Sequence, residues 1–180
     1  KILKNSQSSN PEFIRVLSEV LAAVYRRTGR LDRYYLMQEQ MGVAGEWLLL
    51  GPFGEQANID FDHPFPPEVR QEPLSECMWK GKKLTAKPMT VRGENIYLVG
   101  GRKADRTYYA GTFLNLSKTE KLIIRIISVD NLKVFVDEQE VFRRDTRKTW
   151  PRVTDQIVLE LSAGRHSVLV KFSSRQFASG

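Results

Sequence analysis

The chain has one cysteine, Cys77, and two histidines, His63 and His166, among its 180 residues. A lone thiol excludes an intramolecular disulfide framework and a thiolate cluster for zinc, and it is compatible with every redox compartment. No apolar run approaches the roughly 20 residues that cross a bilayer as a helix, so no membrane span is expected. A glycine-rich phosphate loop opening a helix, a His-x-x-x-His pair and a serine elbow are also missing. Cys77 lies in "ECMWK", which lacks the helix-start setting that lowers a catalytic thiol's pKa. Strand alternation beside Trp79 makes it a packed side chain. The expectation is a protein that is not an enzyme and uses no cofactor.

What is present is a globular composition, 41% hydrophobic and 27% charged, with enough chain to bury a core without staples. The net charge of +7 would favour an anionic partner if the cations were gathered. They fall instead into three groups: Arg26, Arg27, Arg30 and Arg33; Lys80, Lys82, Lys83 and Lys87; and Arg143, Arg144, Arg147, Lys148 and Arg152. Acids interleave them and no recognition motif accompanies them, so nucleic acid is not an expected partner. The chain opens at Lys1 with neither methionine nor a leader, which predicts a piece of something longer.

Residues 1–45 read as a helical hairpin. Asn10, Pro11 and Glu12 form a start signal: an amide acceptor, a proline suited to the first helical position and a carboxylate at the positive end. Phe13, Val16, Leu17, Val20, Leu21 and Val24 recur at three- and four-residue steps, and Gly29 closes the helix. A second helix is predicted from Leu31 to about Gln40, ended by Gly42 and Gly45.

From Glu46 to the end the period is two. Strands are predicted near 46–51, 76–80, 95–99, 106–116, 122–126, 132–136, 139–142, 156–161 and 166–172, with no helical pattern among them. Eight to ten short strands predict a mainly β domain over 46–180, an antiparallel sandwich of the jelly-roll kind. Within "WLLLGPFGEQANIDFDHPFPPE", residues 47–68, Gly51-Pro52 is expected to end a strand because proline offers no amide to the ladder. Pro64, Pro66 and Pro67 are expected to hold the next segment extended, with Phe53, Phe61 and Phe65 covering a sheet edge. Asp60 and Asp62 are weak metal candidates with Glu68 nearby. A hard cation wants six to eight oxygens, so solvated carboxylates are the preferred reading and no metal is expected. His63 reads as a turn residue, and His166 as a polar group satisfying backbone beside the Gly164 turn.

Two resemblances add to this. "LAAVYRRTGR", with Leu21, Ala22, Tyr25 and Gly29, resembles the first helix and turn of a tetratricopeptide repeat; Tyr34 departs from that pattern where a small residue is usual, so the unit would be a degenerate or final one. The tryptophan strand running into Gly51-Pro52-Phe53, then Phe61, Pro66-Pro67-Glu68, Trp79, "YYAGTFLNL", "VDNLKVFVD" and "LSAGRHSVLVKF", is similar to galactose-binding-like jelly-roll modules of large bacterial extracellular or envelope proteins. Some of those modules stand beside tetratricopeptide repeats and ahead of transglutaminase-like domains. The resemblance implies a periplasmic or extracellular setting and a binding or scaffolding role toward a protein partner or a neighbouring domain. In that family an Asn-Gly turn usually follows "VDN"; Asp137-Glu138 here predicts a longer loop through Gln139.

Ligand binding has one candidate. "VFRRDTRKTWPR" puts five cations beside Trp150, and Tyr108 and Tyr109 add aromatic surface. Arg144, Arg147, Trp150, Tyr108 and Tyr109 are either a platform for sugar, an anionic polymer or a partner's carboxylates, or a solvated inter-strand loop with packed aromatics. The alternative function is accordingly a carbohydrate-binding module.

Overall fold

A computed structural model of the chain describes residues 11–43, 45–69, 74–90, 106–128, 130–145 and 153–174. The described residues fall into two units, one of residues 11–43, Gly45 and Thr90, the other of residues 46–89 and those from 106 on. The first contains α1 (Pro11–Arg27) and α2 (Leu31–Gln40). Gly29, at φ +71°, ends α1 as expected. The Arg30 amide reaches the Tyr25 carbonyl and the Gly29 amide that of Arg26, at 2.9 and 3.3 Å, a closure that needs a left-handed residue at the position glycine fills. Gly42 ends α2 in the same way, with the Val43 amide on the Gln38 carbonyl. The helices meet through Ala22, Tyr34 and Met37: a small residue on one side accommodates a large one on the other. Asn10 lies outside the described residues.

The second unit is mainly β. Its strands are β1 (Glu46–Phe53), β2 (Glu76–Trp79), β3 (Lys82–Thr85), β4 (Lys87–Thr90), β5 (Arg106–Leu116), β6 (Glu120–Ser128), β7 (Asn131–Val136), β8 (Gln139–Arg144), β9 (Val153–Leu161) and β10 (Gly164–Ser174). One six-stranded sheet runs in the order β4-β1-β5-β10-β7-β8, and β2-β3 and β6-β9 form separate two-stranded ladders. The pairings β1–β5, β5–β10, β10–β7, β7–β8, β2–β3 and β6–β9 are antiparallel.

Because successive strand residues point to opposite faces, β5 and β10 feed two cores. Tyr108, Ala110, Leu132, Val134, Val168, Val170 and Phe172 pack with Ile124, Ile126, Ile157 and Leu159 of the β6-β9 ladder. Leu50, Phe53, Tyr109 and Leu169 pack with Phe65, Cys77, Trp79 and Leu84 on the other. The central sheet is thus covered on both faces, which explains why five of the six β7 residues are buried.

Four expectations need correction. Two single-turn helices, α3 (Ala57–Asp60) and α4 (Pro66–Val69), interrupt the β region. Pro66 and Pro67 open α4 and do not hold an extended segment, because a proline's missing amide is one the first helical turn leaves unpaired anyway. β1 does not end at Gly51-Pro52: its ladder with β5 bulges there and resumes at Phe53 opposite Thr107. Finally, Asp137-Glu138 makes no longer loop. Val136 pairs with Gln139, and both turn residues have positive φ, +47° and +70°, so the pair occupies a two-residue turn of the type usually filled by Asn-Gly. Asp137 tolerates this because its carboxylate accepts from the Ser167 amide at 2.8 Å and from His166 Nδ1 at 2.6 Å. β3 and β4 were not anticipated from the sequence, and the strand predicted at 95–99 lies outside the described residues.

Candidate functional site

The sequence's candidate platform does not assemble among the described residues. Trp150 and Arg147 lie outside them. Tyr108 and Tyr109 are adjacent on β5 and therefore face opposite cores. Tyr108 stacks on Phe172 at 5.8 Å, whereas Tyr109 is fully buried on the other side, so neither ring offers surface to a ligand. Arg144 pairs with Asp155 and donates to the Ser128 and Asp130 carbonyls at 3.2 and 2.8 Å, tying β8 to the ends of β6, β7 and β9. Cys77 is buried in the same cluster as Trp79's partners.

The face carrying Tyr109 holds something the sequence reading did not find. Register places Tyr109, Lys171, Lys133 and Arg143 side by side across β5, β10, β7 and β8. Lys171 and Lys133 are only 0% and 2% exposed, and bare ammonium groups in such a place would be strongly unfavourable. The segment 55–69 supplies what neutralises them. Glu68 Oε1 accepts from Lys171 Nζ at 2.6 Å and from the Tyr109 hydroxyl, and Lys171 also donates to the His63 carbonyl at 2.7 Å. Asp62 lies 3.5 Å from Lys133 and 2.6 Å from Arg143, which Glu140 also holds at 2.8 Å. The Phe61 ring sits 4.9 Å from Lys133 Nζ and 6.0 Å from that of Lys171, a cation–π contact to each. One rung further, the buried Thr107 and Ser173 hydroxyls bond each other at 2.7 Å.

The electrostatics follow from this geometry. Burial pulls the Lys171 ammonium below its ordinary pKa against the opposing hydrogen bond of Glu68. Burial, then the Glu68 charge, push the Tyr109 phenol upward. The Arg143 bond holds the Glu140 carboxyl below its usual range. Lys171 is wholly buried, and its bonds go to Glu68 and the His63 carbonyl of segment 55–69. The chemical role of the row is to clamp the segment 55–69 onto the sheet.

That segment walls a cleft of about 310 Å³ lined by Gly54, Glu55, Gln56, Ile59, Asp60, His63, Phe65, Trp79 and Lys80. Trp79 is held edge-on by Phe53 and Phe65, at 5.9 and 4.9 Å between ring centroids, and His63 packs against Phe65 at 4.8 Å. Lys80 donates to Glu55 at 2.8 Å and lowers its pKa. Asp60 does not pair with Asp62: its Oδ2 accepts the Glu55 and Gln56 amides at 2.5 and 2.6 Å. Gly54, at φ +70°, permits this, since a Cβ there would stand 2.1 Å from that oxygen. No group of three or more His, Cys, Asp or Glu placed to hold a metal ion occurs among the described residues. His63, read as a turn residue, lines the cleft, and Trp79, read as a strand residue, forms part of its floor.

The helical unit carries a second candidate surface. Phe13, Val16, Val20 and Val24 are between 45% and 54% exposed, whereas Ala22, one of the residues that meet α2, is fully buried. At about 100° per residue the four exposed side chains fall within roughly 80° of arc, on the face of α1 away from Ala22. No helix among the described residues is long and apolar enough to cross a membrane. No protein-family model, curated protein or solved structure matches the chain.

Proposed function

We propose that the chain is a non-catalytic binding and scaffolding module, in which the helical unit docks onto another helix and so positions a neighbouring domain or a protein partner. The observation that carries this reading is the exposed Phe13-Val16-Val20-Val24 stripe. A helix that buries one apolar face and presents a second is built to pack on two sides. Its occupant is an amphipathic helix with its own apolar stripe, the arrangement of a helical-repeat array in which a single hairpin cannot cover its own surface. The likeness of 21–30 to a tetratricopeptide repeat supports the same reading. Arg26, Arg27 and Arg30 cluster where α1 ends, so the fitting partner is acidic at that end. In this reading the β unit is a jelly roll of the galactose-binding-like kind, and it serves as the rigid body that is positioned.

The test is photo-crosslinking in the native host from an unnatural amino acid placed at Val20, with Met78 of β2, also exposed, as the control position. Adducts mapped to one apolar helical face, lost on Val16→Lys, support the reading. Adducts no different from those at Met78, or unaffected by Val16→Lys, defeat it.

A further inference from the structure

The buried end of the lysine row has a reactivity of its own, independent of the helical stripe. We propose that Lys171 and Glu68 condense to a side-chain amide, an isopeptide bond that the folded chain forms by itself with release of one water. Three observations lead there. The first is proximity. Lys171 Nζ lies 2.6 Å from Glu68 Oε1, and the carboxyl carbon is one bond further, so nitrogen and carbon start near the roughly 3–3.5 Å of a near-attack pair. Both partners are fixed, Lys171 by the His63 carbonyl at 2.7 Å and Glu68 by the Tyr109 hydroxyl. Holding them so removes the entropy that makes the same reaction slow between separate molecules.

The second observation is dryness. The Lys171 side chain is 0% exposed and that of Glu68 9%, and the rings of Phe61, Phe65 and Tyr109 stand 6.0, 5.2 and 5.7 Å from Nζ. In water the ion pair is favoured, because condensation gives up the hydration of two charges. Here folding has already stripped that hydration, and a neutral amide replaces two buried ions. Burial also draws the Lys171 pKa below its ordinary value against the Glu68 bond, which eases the passage of a proton to Glu68 and leaves a nucleophilic amine facing a neutral carboxylic acid.

The third is that every proton and electron pair has an outlet. Burial, then the Glu68 charge, push the Tyr109 phenol upward, so it keeps its proton and donates to Oε1, where negative charge develops as Nζ adds to Cδ. The Cδ–Nζ bond forms and the Cδ–Oε2 bond breaks. Oε2 leaves as water with two of the three ammonium protons, and neither oxidant nor co-reactant is needed. The remaining N–H serves the His63 carbonyl, and the amide oxygen keeps the Tyr109 hydroxyl. Lys133 lacks such a site, since Asp62 is 3.5 Å away, 63% exposed and shared with Arg143. The bond joins residues 103 positions apart and fastens segment 55–69 to β10. The ion pair is the state before reaction, and its own contribution to stability is that of chain at full mass.

The experiment is an intact-mass measurement of the denatured chain after it has been held folded for several days at neutral pH, followed by tryptic mapping. The expected result is a mass below that of the sequence by one water, located in a peptide that joins Glu68 to Lys171 and survives boiling in denaturant. Lys171→Met and Glu68→Gln should retain the full mass, and Tyr109→Phe should react more slowly. Should these variants fail to fold, parent chain held unfolded in urea for the same time replaces them: it should keep the full mass and begin to lose water on refolding. The proposal is overturned by full mass in the folded parent, by a water loss mapped elsewhere, such as a cyclised aspartate, or by a loss that proceeds equally in urea.

Discussion

Replacing Glu68 by Gln removes the charge facing Lys171 while keeping the shape and an oxygen for the Tyr109 hydroxyl. Lys171 is wholly buried and its other bond is to a neutral carbonyl, that of His63, so the ammonium must then either remain charged without its counter-ion or give up its proton. The first course corresponds to the roughly 3–5 kcal/mol measured when one partner of a buried ion pair is deleted. The second has a calculable ceiling. Deprotonating at pH 7 a lysine of ordinary pKa 10.5 takes about 4.8 kcal/mol, at about 1.4 kcal/mol per pH unit. Both routes give a loss of about 3–5 kcal/mol, a large share of the 5–15 kcal/mol that holds a typical domain together. They separate by pH. If the variant folds with a neutral Lys171, its unfolded state binds one more proton than the folded state, so its stability rises with pH. The deficit relative to the parent then shrinks by up to about 2.7 kcal/mol between pH 7 and pH 9. Urea unfolding of the parent, Glu68→Gln, Lys171→Met and the double variant at the two pH values is the assay. The double variant should recover most of the loss, because a neutral pair in an apolar setting needs no counter-charge. A Glu68→Gln loss below about 1 kcal/mol at pH 7, or a double variant no better than the singles, would refute the claim that this pair clamps segment 55–69.

Two more expectations follow from groups buried elsewhere. The Asp137 carboxylate lies on His166 Nδ1 and the Ser162 carbonyl on Nε2, a setting that favours the doubly protonated imidazolium, and the Asp137 bond, then the Ser162 bond, raise its pKa from the ordinary 6.5. The pull of His166 and Ser167 on Asp137 outweighs the opposing effect of burial and leaves that carboxyl below 3.8. The tie between the β7–β8 turn and β10 is therefore complete from about pH 3.8 to pH 6.5; it weakens as pH rises through the folded-state value of His166 or falls through that of Asp137. An NMR titration should place His166 above 6.5 and Asp137→Asn should bring it down; a value at or below 6.5, or no response to Asp137→Asn, contradicts the geometry. In α2, Gln38 is 3% exposed and neither side-chain polar atom has a partner among the described residues. Gln38→Met should stabilise the helical unit by about 1–3 kcal/mol, read as slower hydrogen exchange of the α2 amides; faster exchange would show that the amide has a partner after all.

What was legible in the sequence was whatever depends on neighbours along the chain. The 3.6-residue recurrence of Val16, Val20 and Val24 and the glycines at 29 and 42 marked the two helices, and alternation marked β5, β7 and β10. The same alternation also held two facts that were not drawn from it. Tyr108 and Tyr109, being adjacent in a strand, must face opposite ways, so the sequence itself excludes a single platform of both. Lys133 and Lys171 each stand within nearly unbroken apolar runs, "NLKVFV" and "VLVKF", and such runs mark strands covered on both faces. A lysine there is buried and must have a carboxylate brought to it from elsewhere. The acids available were those of segment 55–69, where Asp60, Asp62 and Glu68 had been read together as a weak metal cluster or as solvated. Local spacing could not distribute them, because their partners lie far along the chain: Glu68 and Lys171 are 103 residues apart, and Asp62 and Arg143 are 81. The structure sends each acid to a different task, Glu68 to Lys171, Asp62 to Lys133 and Arg143, and Asp60 to the amides behind Gly54. The prolines and phenylalanines between them are therefore more than punctuation after a strand. They shape a cap whose inner side satisfies two buried ammonium groups and whose outer side, through His63, Asp60 and Glu55, forms the wall of the Trp79 cleft.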